Sequence, residues 1–165
     1  VVLIHTGFGP RGTYAKYCRP ILVDNIAVDF PDINFIAAHA GSPWIDEALS
    51  VSAKNPNVYH DLAAWQLAYS KSPFALAQLL AKIKLFHGSF DKVLFGSDWP
   101  FVREVCSQKQ WVEIIKDIEK FTPLNNDTKI NFIKKKLMKA MIGLEISAKD
   151  KEKILGLNAQ KLFDL

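Results

Sequence analysis

The stretch Ile33-Asn-Phe-Ile-Ala-Ala-His39-Ala-Gly41-Ser-Pro-Trp44 decides the fold. From Ile33 it is apolar almost without a break, and it lacks the alternation of a strand with one wet face. That pattern marks a strand buried on both sides of a parallel sheet. The run then stops at a histidine and a Gly-Ser-Pro turn. Three other segments repeat the design: Val1–His5 leads into His5-Thr6-Gly7, Val58–Leu62 contains His60-Asp61, and Lys92–Gly96 runs into Gly96-Ser97-Asp98-Trp99-Pro100.

Helical periodicity fills the intervals. Pro20–Phe30 precedes the Ile33–His39 strand, and Trp44–Ala53 follows it, with Pro43 suited to a first helical turn. Pro73–Leu85 carries Leu76, Leu79, Leu80 and Ile83 at three-four spacing, and Glu104–Phe121 carries Trp111, Ile114, Ile115 and Ile118. Strand and helix alternate, so the expected class is α/β with a parallel sheet. Beyond Phe121 the spacing predicts a polar turn, Thr122–Thr128, with Asp127 as a helix N-cap. A lysine-rich helix follows over Lys129–Ile142. Ser147-Ala-Lys-Asp150 then resembles a capping box that opens a last helix reaching Phe163 and breaking near Gly156. No repeat or linker divides the chain, so residues 1–165 are expected to form part of one domain.

Composition narrows the class of function. At 165 residues, 49% hydrophobic and 23% charged, the chain can bury one core. No apolar run approaches the roughly 18–20 residues that cross a bilayer. Without an initiator Met the chain reads as starting inside a longer one. Cys18 and Cys106 form no CxxC pair and read as free thiols, which with the lack of a leader points to the cytoplasm. The net charge of +4 is no sign of nucleic-acid binding. Nine lysines against three acids fall between Lys129 and Lys161, beside the helical stripe Ile130, Ile133, Leu137 and Met141. A solvated helix face explains them, and the aromatic interleaving of single-strand binders is missing.

In parallel α/β folds the C-terminal ends of the strands gather at one face, where ligands are bound. His5, His39 and Asp98 stand at three such ends, so they are expected to share one pocket. Neutral imidazole and carboxylate suit a Zn²⁺-like ion with an open water position, and such an ion makes hydroxide available near pH 7.

Here the resemblance becomes specific. VLIHTG, FPDINFIAAHAGSPWIDEA, NPNVYHDLAAW, VLFGSDWPF and ILGLNAQKLF are similar to strands five to eight and the closing helix of the amidohydrolase-related family of metal-dependent hydrolases and decarboxylases. The resemblance implies the C-terminal half of a (β/α)₈ TIM-like barrel. It makes His5 a metal ligand, His39 catalytic or a ligand of a second metal, and Asp98 both a metal ligand and a proton-handling group. The cofactor implied is a divalent ion, Zn²⁺ first and Mn²⁺ second. The expected activity is hydrolysis of a small carboxylate, lactone, ester or amide, with non-oxidative decarboxylation as the alternative. The partner implied is the N-terminal half of the barrel, whose strand-one His-x-His is not in this sequence. Without it, the chain is expected to self-associate and stay inactive.

Lesser candidates have two readings each. Trp44, Trp65 and Trp99 follow three strand ends and either wall the substrate pocket or pack the core. Arg11 either meets a substrate carboxylate or lies in solvent. Asp61 reads as a structural hydrogen-bonding group, His60 as pointing away from it, and His87 as a surface or C-cap residue. Finally, Gly7-Phe-Gly9-Pro-Arg-Gly12 matches the dinucleotide-binding G-x-G-x-x-G. Pro10 removes an N–H that phosphate would need, and no acid ends the second strand, so this reading is the weaker one. A non-catalytic fragment is the third.

Overall fold

The four apolar runs pair side by side in chain order. In the computed structural model, which describes residues 1–120 and 145–165, the strands are β1 (Val2–Ile4), β2 (Phe35–Ala37), β3 (Val58–Asp61) and β4 (Val93–Leu94). All are parallel, in the order β1-β2-β3-β4, with Leu3 opposite Ile36, Ile36 opposite Tyr59, and Asp61 opposite Leu94. Each is shorter than its apolar run. The residues that end the runs, His39 and Asp98 among them, leave the sheet in turns instead of extending it.

Helices cover one face of this sheet. α1 (Ile21–Asp29) and α2 (Ile45–Lys54) put Val23, Ala27 and Val51 against Phe35 and Val58. α3 (Trp65–Lys71) was not expected. Ser72 is extended ahead of Pro73, as a residue before proline prefers, and this splits α3 from α4 (Pro73–His87). α4 buries Leu76, Leu79, Leu80 and Ile83, as its spacing predicts, and Gly88 ends it in a left-handed conformation. α5 (Gln108–Lys116) begins later than expected because Ser107 and Gln110 form a capping box there. Pro43 lies two residues before α2, whose N-cap is Trp44.

The last helix opens on the expected Ser147–Asp150 capping box. It runs as α6 (Ala148–Glu152), a π-helical segment over Lys153–Leu157, and α7 (Asn158–Phe163), so the break near Gly156 is a widened turn. Asn158 Nδ2 donates to the carbonyls of Phe90 and Val93, both at 2.7 Å, and ties this helix to β4. Leu162 reaches the opposite sheet face at Ile36 and Leu94. The expected turn at Thr122–Thr128 and helix at Lys129–Ile142 lie outside the described residues. Among the described residues, no helix is long and apolar enough to cross a membrane.

His87 closes α4 beside its Gly88 cap and is half-buried. Its Nε2 lies 3.0 Å from Ser52 Oγ, which also meets His60 Nε2 on the helix-covered side of β3. The Gly7–Gly12 loop does not feed a helix, as phosphate binding would require; a 3₁₀ turn (Ala15–Cys18) intervenes and α1 starts only at Ile21. Gly7 has φ +100° and lies so close to Ser42 that a Cβ would run into its carbonyl. That close approach is reason enough for the glycine.

Candidate functional site

His5, His39 and Asp98 line the same two neighbouring clefts at the C-terminal ends of the strands. One, of about 450 Å³, is walled by Phe8, Pro10, Trp65, Leu67 and Phe101. The other, of about 680 Å³, opens over Leu3, Ile36, Asp61 and Leu94, on the sheet face away from α1–α5.

The imidazoles touch. His39 Nε2 lies 3.2 Å from His5 Nδ1, with ring centroids 5.0 Å apart at an interplanar angle of 69°. His39 Nδ1 lies 3.0 Å from the Ala63 carbonyl, which only accepts. In the neutral ring Nδ1 therefore carries the proton and Nε2 the lone pair. His5 then donates from Nδ1 to His39 Nε2. Burial first, and then the neighbouring His39, pull the His5 pKa below its usual value, while Asp98 and Asp61 pull the other way. The His5 ring is thus favoured in the neutral form that binds metals and accepts protons.

The backbone around these groups is unusual. His39 has φ 62° and Ala40 φ 46°, and Asp98 has φ 52°, all in the left-handed region that side chains other than glycine avoid. The Asp61 carboxylate is buried under this turn. Its Oδ1 accepts from the His39 amide at 2.7 Å and from the Ala63 amide at 3.0 Å. Burial raises the Asp61 pKa against the pull of those two amides. His60, its neighbour on β3, faces the other way, as strand alternation requires.

The other expected residues divide. Trp65 and Trp99 line the clefts. Trp65 is buried, and its indole N–H donates to the His39 carbonyl at 2.9 Å. Trp44 lines neither cleft; it packs edge-to-face on Phe8 at 5.2 Å and takes the Arg19 guanidinium on its face. Arg11 is exposed in the loop after β1 and lines neither cleft. Sequence reasoning missed Thr6, Phe8, Gln66 and Phe101. The His-Thr-Gly run was the one available signal for Thr6; loop aromatics carry none.

A family model for amidohydrolases matches residues 1–165. This chain belongs to the amidohydrolase family. Among solved structures it is similar to an uncharacterised TIM-barrel protein from Bordetella bronchiseptica, at 22% identity and a TM-score of 0.55. That alignment covers 99% of this chain and 44% of the other, so the chain spans less than half the length of its structural relative. None of the curated proteins matches it. The structural likeness speaks for the fold: an α/β parallel sheet akin to part of a barrel wall.

For an amidohydrolase the question is whether these residues suit a divalent ion. Among the described residues no three His, Cys, Asp or Glu side chains are grouped to hold one. His5 and Asp98 have the right donor chemistry, neutral imidazole and carboxylate, but they are two ligands where catalytic sites use three or more. The described residues fit as part of a metal site and do not complete one.

Proposed function

We propose that this amidohydrolase chain is the C-terminal half of a (β/α)₈ barrel, and that the full barrel hydrolyses a small carboxylate, lactone, ester or amide. The observation that carries the reading is the 3.0 Å approach of His39 Nδ1 to the Ala63 carbonyl, an acceptor only, which leaves Nε2 as the proton acceptor in the cleft that Asp98 lines.

A divalent ion, Zn²⁺ or Mn²⁺, held by His5, Asp98 and ligands from outside the described residues, would supply Lewis acidity for water and for the carbonyl. His39 Nε2 exchanges its bond from the His5 ring for one from the attacking water, takes that proton and returns it to the departing oxygen or nitrogen. Asp98 accepts the other hydrogen of that water and so fixes the direction of attack. Phe8, Trp65, Leu67 and Phe101 keep bulk water from one side of the carbonyl, where the developing charge is then poorly screened.

The test uses the enzyme with its barrel complete, assayed on lactones, esters and amides while CO₂ release is followed from aromatic acids. Product with a free carboxylate and no CO₂ supports hydrolysis; CO₂ without hydrolysis replaces it with decarboxylation. His39→Ala is expected to lose about 10²–10⁴-fold in kcat while retaining metal at least in part. His5→Ala is expected to lose most of the metal. Turnover unchanged in both variants would overturn the mechanism.

A further inference from the structure

Neither His39 nor Asp98 is held in place by its own strand. Both stand beyond the last sheet residue, on left-handed backbone, and the bonds that fix them come from elsewhere. Besides the Ser42 amide of its own turn, which donates to its carbonyl at 3.1 Å, four groups reach His39: the Asp61 carboxylate to its amide, the Ala63 carbonyl to its Nδ1, the Trp65 indole to its carbonyl, and the His5 ring to its Nε2. Three of the four belong to one six-residue stretch, Asp61-Leu-Ala-Ala-Trp-Gln66, where β3 passes into α3.

The same stretch reaches the other turn. Gln66 is buried, and its Nε2 donates to the carbonyl of Ser97, the residue before Asp98, at 3.0 Å. Gly96 lies so close to Ala63 that a Cβ on it would stand 2.8 Å from the Ala63 nitrogen and Cβ. Adjacent residues, Trp65 and Gln66, thus tie down the His39 turn and the Asp98 turn.

We propose that Asp61–Gln66 is the positioning element of the site, which selects the Nδ1–H tautomer of His39 and holds the His39 and Asp98 turns in one register. The proposal rests on the reading of His39 as the proton-transfer group. Imidazole in water favours the Nε2–H form, so the environment must reverse that preference. The Ala63 carbonyl does so only while the ring is aimed at it, and Asp61 and Trp65 aim it by gripping the peptide groups on both sides of the His39 Cα. Asp61 binds the Ala63 amide through the oxygen that also takes the His39 amide, so donor and acceptor are located by one atom.

Nitrogen-15 NMR of histidine-labelled full chain reads this tautomer without any need for turnover, with His39→Gln assigning the signals. The wild type is expected to show His39 mainly as Nδ1–H with a bare Nε2. Asp61→Ala and Trp65→Phe should each move the ratio several-fold toward Nε2–H, and Asp61→Asn, which keeps an acceptor oxygen, should restore most of it. Gln66→Leu should shift the backbone amide signals of Ser97 and Asp98. Should Asp61→Ala not fold, Trp65→Phe decides alone, since it keeps an aromatic side chain at the position and removes the donor. A wild-type ring that is mainly Nε2–H, or a folded Trp65→Phe with the wild-type ratio, overturns the proposal. Unmoved Ser97 and Asp98 signals in Gln66→Leu would overturn the coupling of the two turns. In the complete enzyme, Trp65→Phe should lower kcat about 10-fold or more with KM little changed. Wild-type turnover in His39→Gln would sink the role of His39 and leave the tautomer result standing.

Discussion

Thr6 carries more of the site than its size suggests. It is 1% exposed, and its hydroxyl donates to the Ala38 carbonyl at 2.6 Å, which pins the residue after His5 to the residue before His39. Thr6→Val keeps the shape and removes that buried hydrogen bond. Such a loss costs about 0.5–1.5 kcal/mol, so a lower urea midpoint is expected, and a stability equal to wild type would show the bond to be dispensable. Asp98 separates fold from chemistry in the opposite way. Asn tolerates left-handed backbone as well as Asp does, so Asp98→Asn should stay within about 0.5 kcal/mol of wild-type stability. Elemental analysis of the complete enzyme should nevertheless find most of the metal lost, because the amide lacks the ligand charge. At this scale the sequence was legible for His5, His39 and Asp98 because each interrupts an apolar run. It was silent on Gln66, an ordinary residue in an ordinary helical turn until a carbonyl from β4 arrives beside it.

Behind the sheet, β3 and the ends of α2 and α4 bury an imidazole pair that the site does not use. Ser52 Oγ donates to the Leu49 carbonyl at 3.2 Å and accepts from His60 Nε2 and His87 Nε2. His60 Nδ1 is buried with no hydrogen-bond partner, so a second proton on that ring would have nowhere to point. Burial, helped by His87 and Lys92, depresses the His60 pKa to about 3, and burial with Lys92 lowers that of His87. The Lys92 ammonium that faces them is itself fixed on the Ser52 and Asn55 carbonyls. Both histidines take up protons more readily unfolded, near pH 6.5, than folded. Their contribution is therefore complete above about pH 6.5 and is lost progressively as pH falls toward 3. Urea midpoints measured across that window should fall with acid, and His87→Gln should flatten the slope. An equally steep slope in His87→Gln would assign the acid sensitivity to His60 and the carboxylates. On the far side of β4, Asn158→Ala removes the bonds to the Phe90 and Val93 carbonyls, of which Phe90's still accepts from the Val93 amide, and is expected to cost about 1–3 kcal/mol, read as a lower Tm.

The whole molecule is a sheet with two ends. Among the described residues β1 pairs only with β2, and β4 only with β3, which leaves ladder groups on both margins open. Leu3, on the face that a barrel would fill, is 63% exposed. Open parallel edges beside an apolar face favour association with another chain. The chain alone is expected to elute well above its 18.6 kDa, with little metal and no turnover. Leu3→Lys should reduce that self-association. A monodisperse monomer with one metal per chain and measurable turnover would show the protein to be complete as it stands.

Alternation of apolar runs with helical periods was enough to determine a parallel α/β sheet in chain order, because burial on both faces demands such runs whatever surrounds them. The Ser147–Asp150 capping box was legible because it rests on local chemistry, whereas α4 runs to His87, two residues past the expected Leu85, before Gly88 caps it. What only the tertiary structure decided is contact between residues distant in sequence. A hydrogen bond from Trp65 to the His39 carbonyl, or from His87 to Ser52, leaves no spacing to read. The early end of each strand was equally hidden. The left-handed turn at His39 is unfavourable for the residues that form it, and it persists because bonds from Asp61 and Trp65, supplied by the next strand and helix, outweigh the local preference to stay extended.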